Sequence, residues 1–462
     1  MKRIAVGVAV VAAAVAEPLA AQSPPLLADA SVRQILIDRI DRDHQGVGII
    51  VGLTGPGGRR IIGYGRRDAG DAAPLGAHTM FEIGSISKVF TSLVLADMVT
   101  RHEVALVDPL QKFLPPGVTA PTRNGKSITL EDLSTHTSGL PRLPTNMKPT
   151  DPTNPYADYS LDQLYQFLSS YALTRDIESQ YEYSNLGGGL LGHVLASRAG
   201  RSYEALVRER VTAPLAMPNT SIELTPDQRA RLAVGHDAQL KPVPNWDLPT
   251  LAGAGALRSC ADDMLTFVEA AMGAKPTPLA SAFQMMLATR RPTGNPNMEV
   301  ALAWHIMSRN GREIVWHNGG TGGYRSFIGY DKAAGVGVVV LSNTSTATGV
   351  DDIGVHLLDP HNPLLPPAAK HTEVTANPKL FDGYIGKYQL APNFAIAITR
   401  EGARLFLQAT NQPRIELFAE SDKDYFVKVV DASITFVTGA DGKVTALVLH
   451  QNGANITGAR VE

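Results

Sequence analysis

The sequence predicts an α/β domain, an antiparallel sheet flanked by helices with a helical insertion, followed by a small C-terminal β-barrel. Three observations predict it. Strand patterns rich in valine and isoleucine lie near both ends of the segment 24–360, at Gly46 to Leu53 and again between Glu313 and Leu341. Helical periodicity fills the middle, so one sheet is assembled from the two ends of the segment. After a stretch rich in proline and alanine at 361–378, short alternating runs separated by glycine and aspartate turns recur to the end of the chain.

Taken in order, the chain opens Met1-Lys2-Arg3, continues uncharged from Ile4 to Ala16, and meets Ala20 and Ala21 before Gln22. That pattern reads as a secretory leader over 1–21, and the mature protein is expected to be exported, periplasmic or secreted. The apolar run is shorter than the ~20 residues of a spanning helix. A helix follows over Ala30 to Asp41. Gly46 to Leu53 and Arg59 to Tyr64 then form an antiparallel hairpin about the turn Gly55-Pro56-Gly57-Gly58. The next helix runs from Ser85 to about Thr100, and its apolar circumference buries it inside the domain. Thr129 to Asp132 resembles a capping box opening a short helix. Prolines, asparagines and threonines from Pro141 to Tyr156 read as an irregular loop of the kind that lines a site.

Helices are expected at Leu161 to Leu173, Leu186 to Ala199 with Gly200 as its stop, Tyr203 to Val211 and Ala261 to Ala271. Strands return at Glu313 to Trp316, Tyr324 to Tyr330 and Gly335 to Leu341, before a last helix near Ile353 to Leu358. The domain therefore closes near 360, and 361–378 is a linker. Within 379–462, strands are expected at Phe394 to Thr399, Leu405 to Ala409, Ile415 to Phe418, Asp424 to Val429, Ile434 to Thr438 and Val444 to Leu449.

Composition narrows the function. A formal net charge of −2 argues against a nucleic-acid partner. The single cysteine, Cys260, excludes an internal disulfide and a thiolate metal cluster, and its simplest reading is a small buried apolar residue. No His-Glu-x-x-His helix, phosphate-cradling loop or Gly-x-Ser-x-Gly elbow occurs.

Chemistry concentrates in three stretches. Ser85-Ile86-Ser87-Lys88 is the single Ser-x-x-Lys of the chain, and at helical pitch residues i and i+3 share a face, so the amine sits beside the hydroxyl. A serine hydroxyl needs a base to become a nucleophile. The amine of Lys88 can serve, and so can a phenolate. Tyr183-Ser184-Asn185, the single Tyr-x-Asn, supplies the phenol, and Asn185 an amide able to hold both a lysine and a substrate carbonyl. His317-Asn318-Gly319-Gly320 enters a strand pair, and its glycines let an extended substrate lie along the strand edge. The amides of Gly320 and Ser85 together could form an oxyanion hole.

In this order the three stretches resemble the motifs of penicillin-recognising serine hydrolases, nearest to class C β-lactamases and their DD-peptidase, D-aminopeptidase and esterase relatives. Thr135 to Pro141 and Ala252 to Ser259 are similar to stretches of the same family, and the terminal strands resemble a lipocalin-like appendage. The resemblance implies that Ser85 is the acylated nucleophile, that Lys88 and Tyr183 act together as its base, and that Asn185, His317, Asn318, Gly319 and Gly320 bind substrate. It implies no metal and no organic cofactor, with a small-molecule or peptide substrate as partner. Class C β-lactamases usually carry lysine where His317 stands and threonine or serine where Asn318 stands. An imidazole is only partly charged near neutrality, so peptidase or esterase chemistry ranks above β-lactam hydrolysis. Arg325 either restores positive charge there or narrows the cleft.

Taken singly, each motif is more often a helix surface or a turn; their joint order carries the inference. His136, His193 and His305 are assigned to packing or helix ends, and Asp262-Asp263 to a helix start. The competing function is a non-catalytic cell-wall or ligand-binding protein that kept the fold.

Overall fold

A computed structural model of the protein describes residues 26–309, 311–367, 371–391, 394–410, 414–428, 432–451 and 454–461. The expected leader lies outside the described residues. Nine strands form the main sheet: β1 (Gly48–Thr54), β2 (Arg60–Asp68), β3 (Asp71–Pro74), β4 (Arg291–Pro292), β5 (Met298–Val300), β6 (His305–Arg309), β7 (Arg312–Gly320), β8 (Arg325–Asp331) and β9 (Val336–Ser342). Their order is β3-β2-β1-β9-β8-β7-β6-β5-β4, antiparallel throughout, so the two ends of the domain meet where β1 pairs with β9, Ile49 opposite Ser342. β1 and β9 are buried along their whole length, which is why they read as unbroken apolar runs.

Helix α1 (Asp29–Ile37) packs Val32 and Leu36 against one face of the sheet. α2 (Ser87–Thr100) lies in the helical half, and Lys88 to Met98 are all buried. α3 (Asn185–Ala199) is started by the Ser184 hydroxyl, which accepts from the Gly187 N–H, and stopped by Gly200 at φ 63°. α4 (Ala261–Met272) covers the other sheet face. α5 (Asp351–Leu358) joins α1 over the first. The capping box at Thr129 is present and opens a helix over Leu130–Ser134. Residues 141–156 form no helix or strand.

Some elements differ from expectation. Ser85 sits in a 3₁₀ turn, Gly84–Ile86, with the α-helix beginning at Ser87. Helices at Pro226–Ala230 and Ala280–Ala288 and the edge strands β4 to β6 were not legible, being short or weakly periodic. The terminal segment is a closed barrel of eight strands, β10 (Gly386–Ala391), β11 (Phe394–Glu401), β12 (Arg404–Ala409), β13 (Ile415–Ala419), β14 (Asp424–Val427), β15 (Ala432–Thr438), β16 (Val444–Gln451) and β17 (Ala454–Arg460). The six expected strands are joined by β10 and β17, which pair with each other to remove the open edges. Among the described residues no helix is long and apolar enough to cross a membrane.

Candidate active site

Three parts of the fold converge on Ser85. The 3₁₀ turn places its hydroxyl 3.1 Å from Lys88 Nζ in the first turn of α2. The start of α3 brings Asn185, whose Oδ1 accepts from Lys88 Nζ at 2.8 Å. A turn at Ala252–Ala254 contributes the Ala254 carbonyl, 2.7 Å from the same nitrogen. The Asn185 amide is oriented from its other end, since Nδ2 donates to the Tyr156 hydroxyl at 2.9 Å. α3 can approach this closely because Gly188 faces the lysine stem, where a Cβ would stand 3.0 Å from Lys88 Cε. Tyr183 lines the same cleft as Ser85, and its ring lies beside two basic side chains, with Lys88 Nζ 4.8 Å and the Arg142 guanidinium carbon 5.2 Å from its centroid.

The electrostatics separate the two candidate bases. Burial drives the Lys88 amine well below its ordinary value of 10.5, and the charge of Arg142 pushes the same way. Burial raises the Tyr183 phenol above its ordinary 10.0, and the lowering influence of the Ser85 hydroxyl does not offset it. Proton affinity is thus low on the amine and high on the phenol. Lys88 Nζ stands within donor distance of Ser85 Oγ, Asn185 Oδ1 and Ala254 O; in the neutral form, with two N–H bonds kept on Asn185 Oδ1 and Ala254 O, the lone pair would face the Ser85 hydroxyl.

Behind this pair lies a wall of imidazoles. His136 accepts from the Ser184 N–H at 3.2 Å through Nδ1 and lies tilted against the Tyr183 ring, 4.5 Å between centroids. His305 bonds the Tyr181 hydroxyl at 3.0 Å and lies 5.2 Å, ring to ring, from His317. Burial, then the charge of Lys88, lowers His305 to about 4; burial lowers His136 and His317 as well. All three are uncharged near neutrality. Among the described residues no group of three or more His, Cys, Asp or Glu side chains is arranged to hold a metal ion.

The open side of the site is a cleft of about 650 Å³, a size suited to a small molecule or short peptide. Ser85, Tyr183, Asn185, Asn318, Gly319 and Gly320 line it. His317 does not. Its ring is fully buried, with Nδ1 bonded to the Asn318 carbonyl, so the expected contact of His317 with substrate gives way to a packing position beneath the cleft. The Asn318 amide is tied to the Asp351 carboxyl of α5, itself pushed up to about 6 by burial. Sequence reasoning missed Arg142, Tyr156, Tyr181 and the Ala254 carbonyl. The only clue to the first two was their place in the loop expected to line a site.

Backbone fit fixes the strand edge against the serine turn. The hairpin bond Thr321 N–H to Tyr324 O makes Gly320–Arg325 a non-hydrogen-bonded pair, leaving the Gly320 N–H directed away from β8. The Ser85 N–H, at a helix start, has no intrahelical partner. These two amides flank the serine. Gly84 has φ +50°, and a Cβ there would stand 2.7 Å from Gly320 N, while a Cβ on Gly319 would stand 2.0 Å from the Ile83 carbonyl. Gly319→Ala is therefore expected to push the strand off the turn, costing about 1–3 kcal/mol of stability. Thermal denaturation beside an ester assay checks it; an unchanged melting point with full activity would refute this packing.

Cys260 is buried and its thiol is raised to about 12, so it is no thiolate nucleophile.

Comparison with known proteins adds the following. The Beta-lactamase family profile matches residues 32–358, and that of a Domain of unknown function (DUF3471) matches residues 370–460. The D-alanyl-D-alanine-carboxypeptidase/endopeptidase AmpH of Escherichia coli K12 is 31% identical over 336 residues, 68% of this chain and 85% of the relative. Penicillin-binding protein 4* of Bacillus subtilis is 23% identical over 93% of this chain and 98% of its own length. A class C β-lactamase structure from Rhodobacter sphaeroides superposes with a TM-score of 0.61 at 24% identity, covering 72% of this chain and 98% of that one.

Proposed function

The chain belongs to the β-lactamase family of serine hydrolases, and from that premise we propose that it is an exported hydrolase of amide or ester bonds working through an acyl-Ser85 intermediate, peptidase or carboxylesterase in type. The observation that carries the reading is the meeting of Ser85, Tyr183 and Asn185 in one cleft with the buried Lys88 amine in hydrogen-bond reach of Ser85 and Asn185, the amine and the phenol being shifted in opposite directions.

In the proposed reaction Lys88 Nζ takes the Ser85 proton as Oγ bonds to the acyl carbon, and the amides of Gly320 and Ser85 hold the developing oxyanion. The bond to the leaving group then breaks. The leaving group departs with the Tyr183 proton, which the Lys88 ammonium replaces. Water enters, gives a proton back through the same pair, and its oxygen displaces Ser85 Oγ, releasing the acid and restoring the hydroxyl. Asn185 keeps the amine aimed throughout, and Tyr156 keeps Asn185 oriented.

Peptidase or esterase activity ranks above β-lactam hydrolysis because His317, in the place of a lysine, is buried and uncharged, so the strand itself brings no cation to the position where that lysine holds a β-lactam carboxylate. Intact-mass analysis after a fluorophosphonate is expected to show one adduct, mapping to Ser85, on a chain starting at Gln22 when isolated from its native host. Turnover of a short ester and a D-amino-acid peptide is expected to exceed that of nitrocefin. An unlabelled yet active protein would refute the acyl-serine reading, and a dominant nitrocefin rate would reverse the ranking.

A further inference from the structure

Two guanidinium groups line the cleft, those of Arg142 and Arg325, and no carboxylate side chain does among the described residues. They are not equivalent. Arg325 is half-buried and already committed: Nε donates to the Thr346 carbonyl at 3.1 Å, and Nη1 to the carbonyls of Thr321 and Tyr324, both at 3.2 Å. Asp351 adds a favourable charge nearby. Arg325 therefore braces the β7–β8 hairpin.

Arg142 is the opposite case. Its side chain is exposed, and among the described residues no hydrogen-bond acceptor or carboxylate partner meets its guanidinium, which lies over the face of the Tyr183 ring. Its main chain is held firmly. The Arg142 carbonyl accepts from the N–H groups of Asn185 at 2.9 Å and Leu186 at 3.2 Å, so the residue is mounted on the same helix start that carries Asn185. The rest of the loop is braced, since Asn154 and Asp247 exchange two hydrogen bonds and Trp246 Nε1 donates to the Thr153 carbonyl at 2.9 Å. A rigidly based cation with unused donors, beside the nucleophile in a cleft free of acidic side chains, is arranged to receive an oxyanion.

We infer that Arg142 is a specificity-determining residue that selects substrates carrying a carboxylate, distinct from the reacting carbonyl, by a charge-assisted hydrogen bond at the cleft mouth. The inference rests on the acyl-Ser85 reading and names its substrate class: anionic esters or amides over neutral ones.

Two matched ester pairs test it. The first pair puts the charge on the acyl side: the 4-nitrophenyl monoester of adipic acid against 4-nitrophenyl hexanoate. The second puts it on the leaving group: the hexanoyl ester of 4-hydroxybenzoate against that of its methyl ester. The readout is the anionic-to-neutral ratio of kcat/KM. Any effect of Arg142 on Lys88 divides out, because both members of a pair are acylated by the same base. Arg142→Gln is expected to lower at least one ratio about tenfold or more, Arg142→Lys to recover part of it, and Arg142→Glu to lower it further; 0.5 M salt should compress the wild-type ratio. The pair that responds shows which side carries the charge.

Ratios unchanged across these variants for both pairs would overturn the assignment. Ser85→Ala on the same esters reads the nucleophile separately. Full hydrolysis by that variant would reject the acyl-serine reading, whereas flat ratios with Ser85→Ala inactive reject only the role of Arg142. Calorimetric binding of 4-carboxyphenylboronic acid against phenylboronic acid gives the same ratio without turnover, with the same two outcomes.

Discussion

Ser85→Ala is expected to lower kcat/KM on any ester the protein hydrolyses by roughly 10⁴–10⁶-fold, while leaving the folded structure in place. The size follows from losing the covalent route altogether: the amides of Gly320 and Ser85 survive the substitution, and they alone supply only the residual stabilisation of a bound carbonyl. The fold should tolerate the change because the Ser85 hydroxyl faces the cleft and, among the described residues, its side-chain hydrogen bond is to Lys88. Steady-state kinetics with circular dichroism and a thermal melt check both halves. A variant retaining more than a hundredth of wild-type activity, with the contaminating host esterases excluded, would remove Ser85 from the mechanism.

Lys88→Met is expected to cost about 10²–10⁴-fold in kcat, the range of a lost general base, with a smaller change in KM. The same substitution tests the charge state. Acylation by wild type should rise with pH as Lys88 loses its proton, at a midpoint below 10.5 because burial lowers that amine. The limb cannot be assigned to the nearby imidazoles, since His305 is held near 4 and His136 and His317 are lowered too. Stability carries the same signature. Between the folded-state value of Lys88 and 10.5 the unfolded chain binds a proton that the native site does not, so unfolding free energy rises with pH across that window. Lys88→Met should remove both the kinetic limb and this slope. A pH–rate profile of the variant that keeps the wild-type limb would hand the proton to another group.

How much of this was legible depended on whether a residue's role came from local periodicity or from distant main chain. Ser85 and Lys88 are three apart at a helix start, so their contact follows from pitch. Tyr183 and Asn185 were readable because an aromatic-polar pair stands where α3 begins. The pairing of β1 with β9 was readable because both are unbroken apolar runs at the ends of one domain. The Ala254 carbonyl was not, since a backbone acceptor carries no side-chain identity. Arg142 and Tyr156 belong to a loop without repeating geometry, so their place in the cleft was foreseeable but their directions were not. His317 failed for a subtler reason: its strand position marked it as a site residue, but not that its ring would end beneath Tyr183 and His305. β10 and β17 escaped notice because each buries few apolar side chains.

The seam between β1 and β9 also governs how the molecule comes to life. Its partners are separated by roughly 290 residues, so contact order is high and the loop-closure entropy is met late. The serine turn packs against β7, which is stitched to the seam through β8. A nascent or truncated chain that has not yet delivered β7 to β9 thus lacks the strand that carries the Gly320 amide, so the proposed oxyanion hole is completed only once synthesis has passed Ser342.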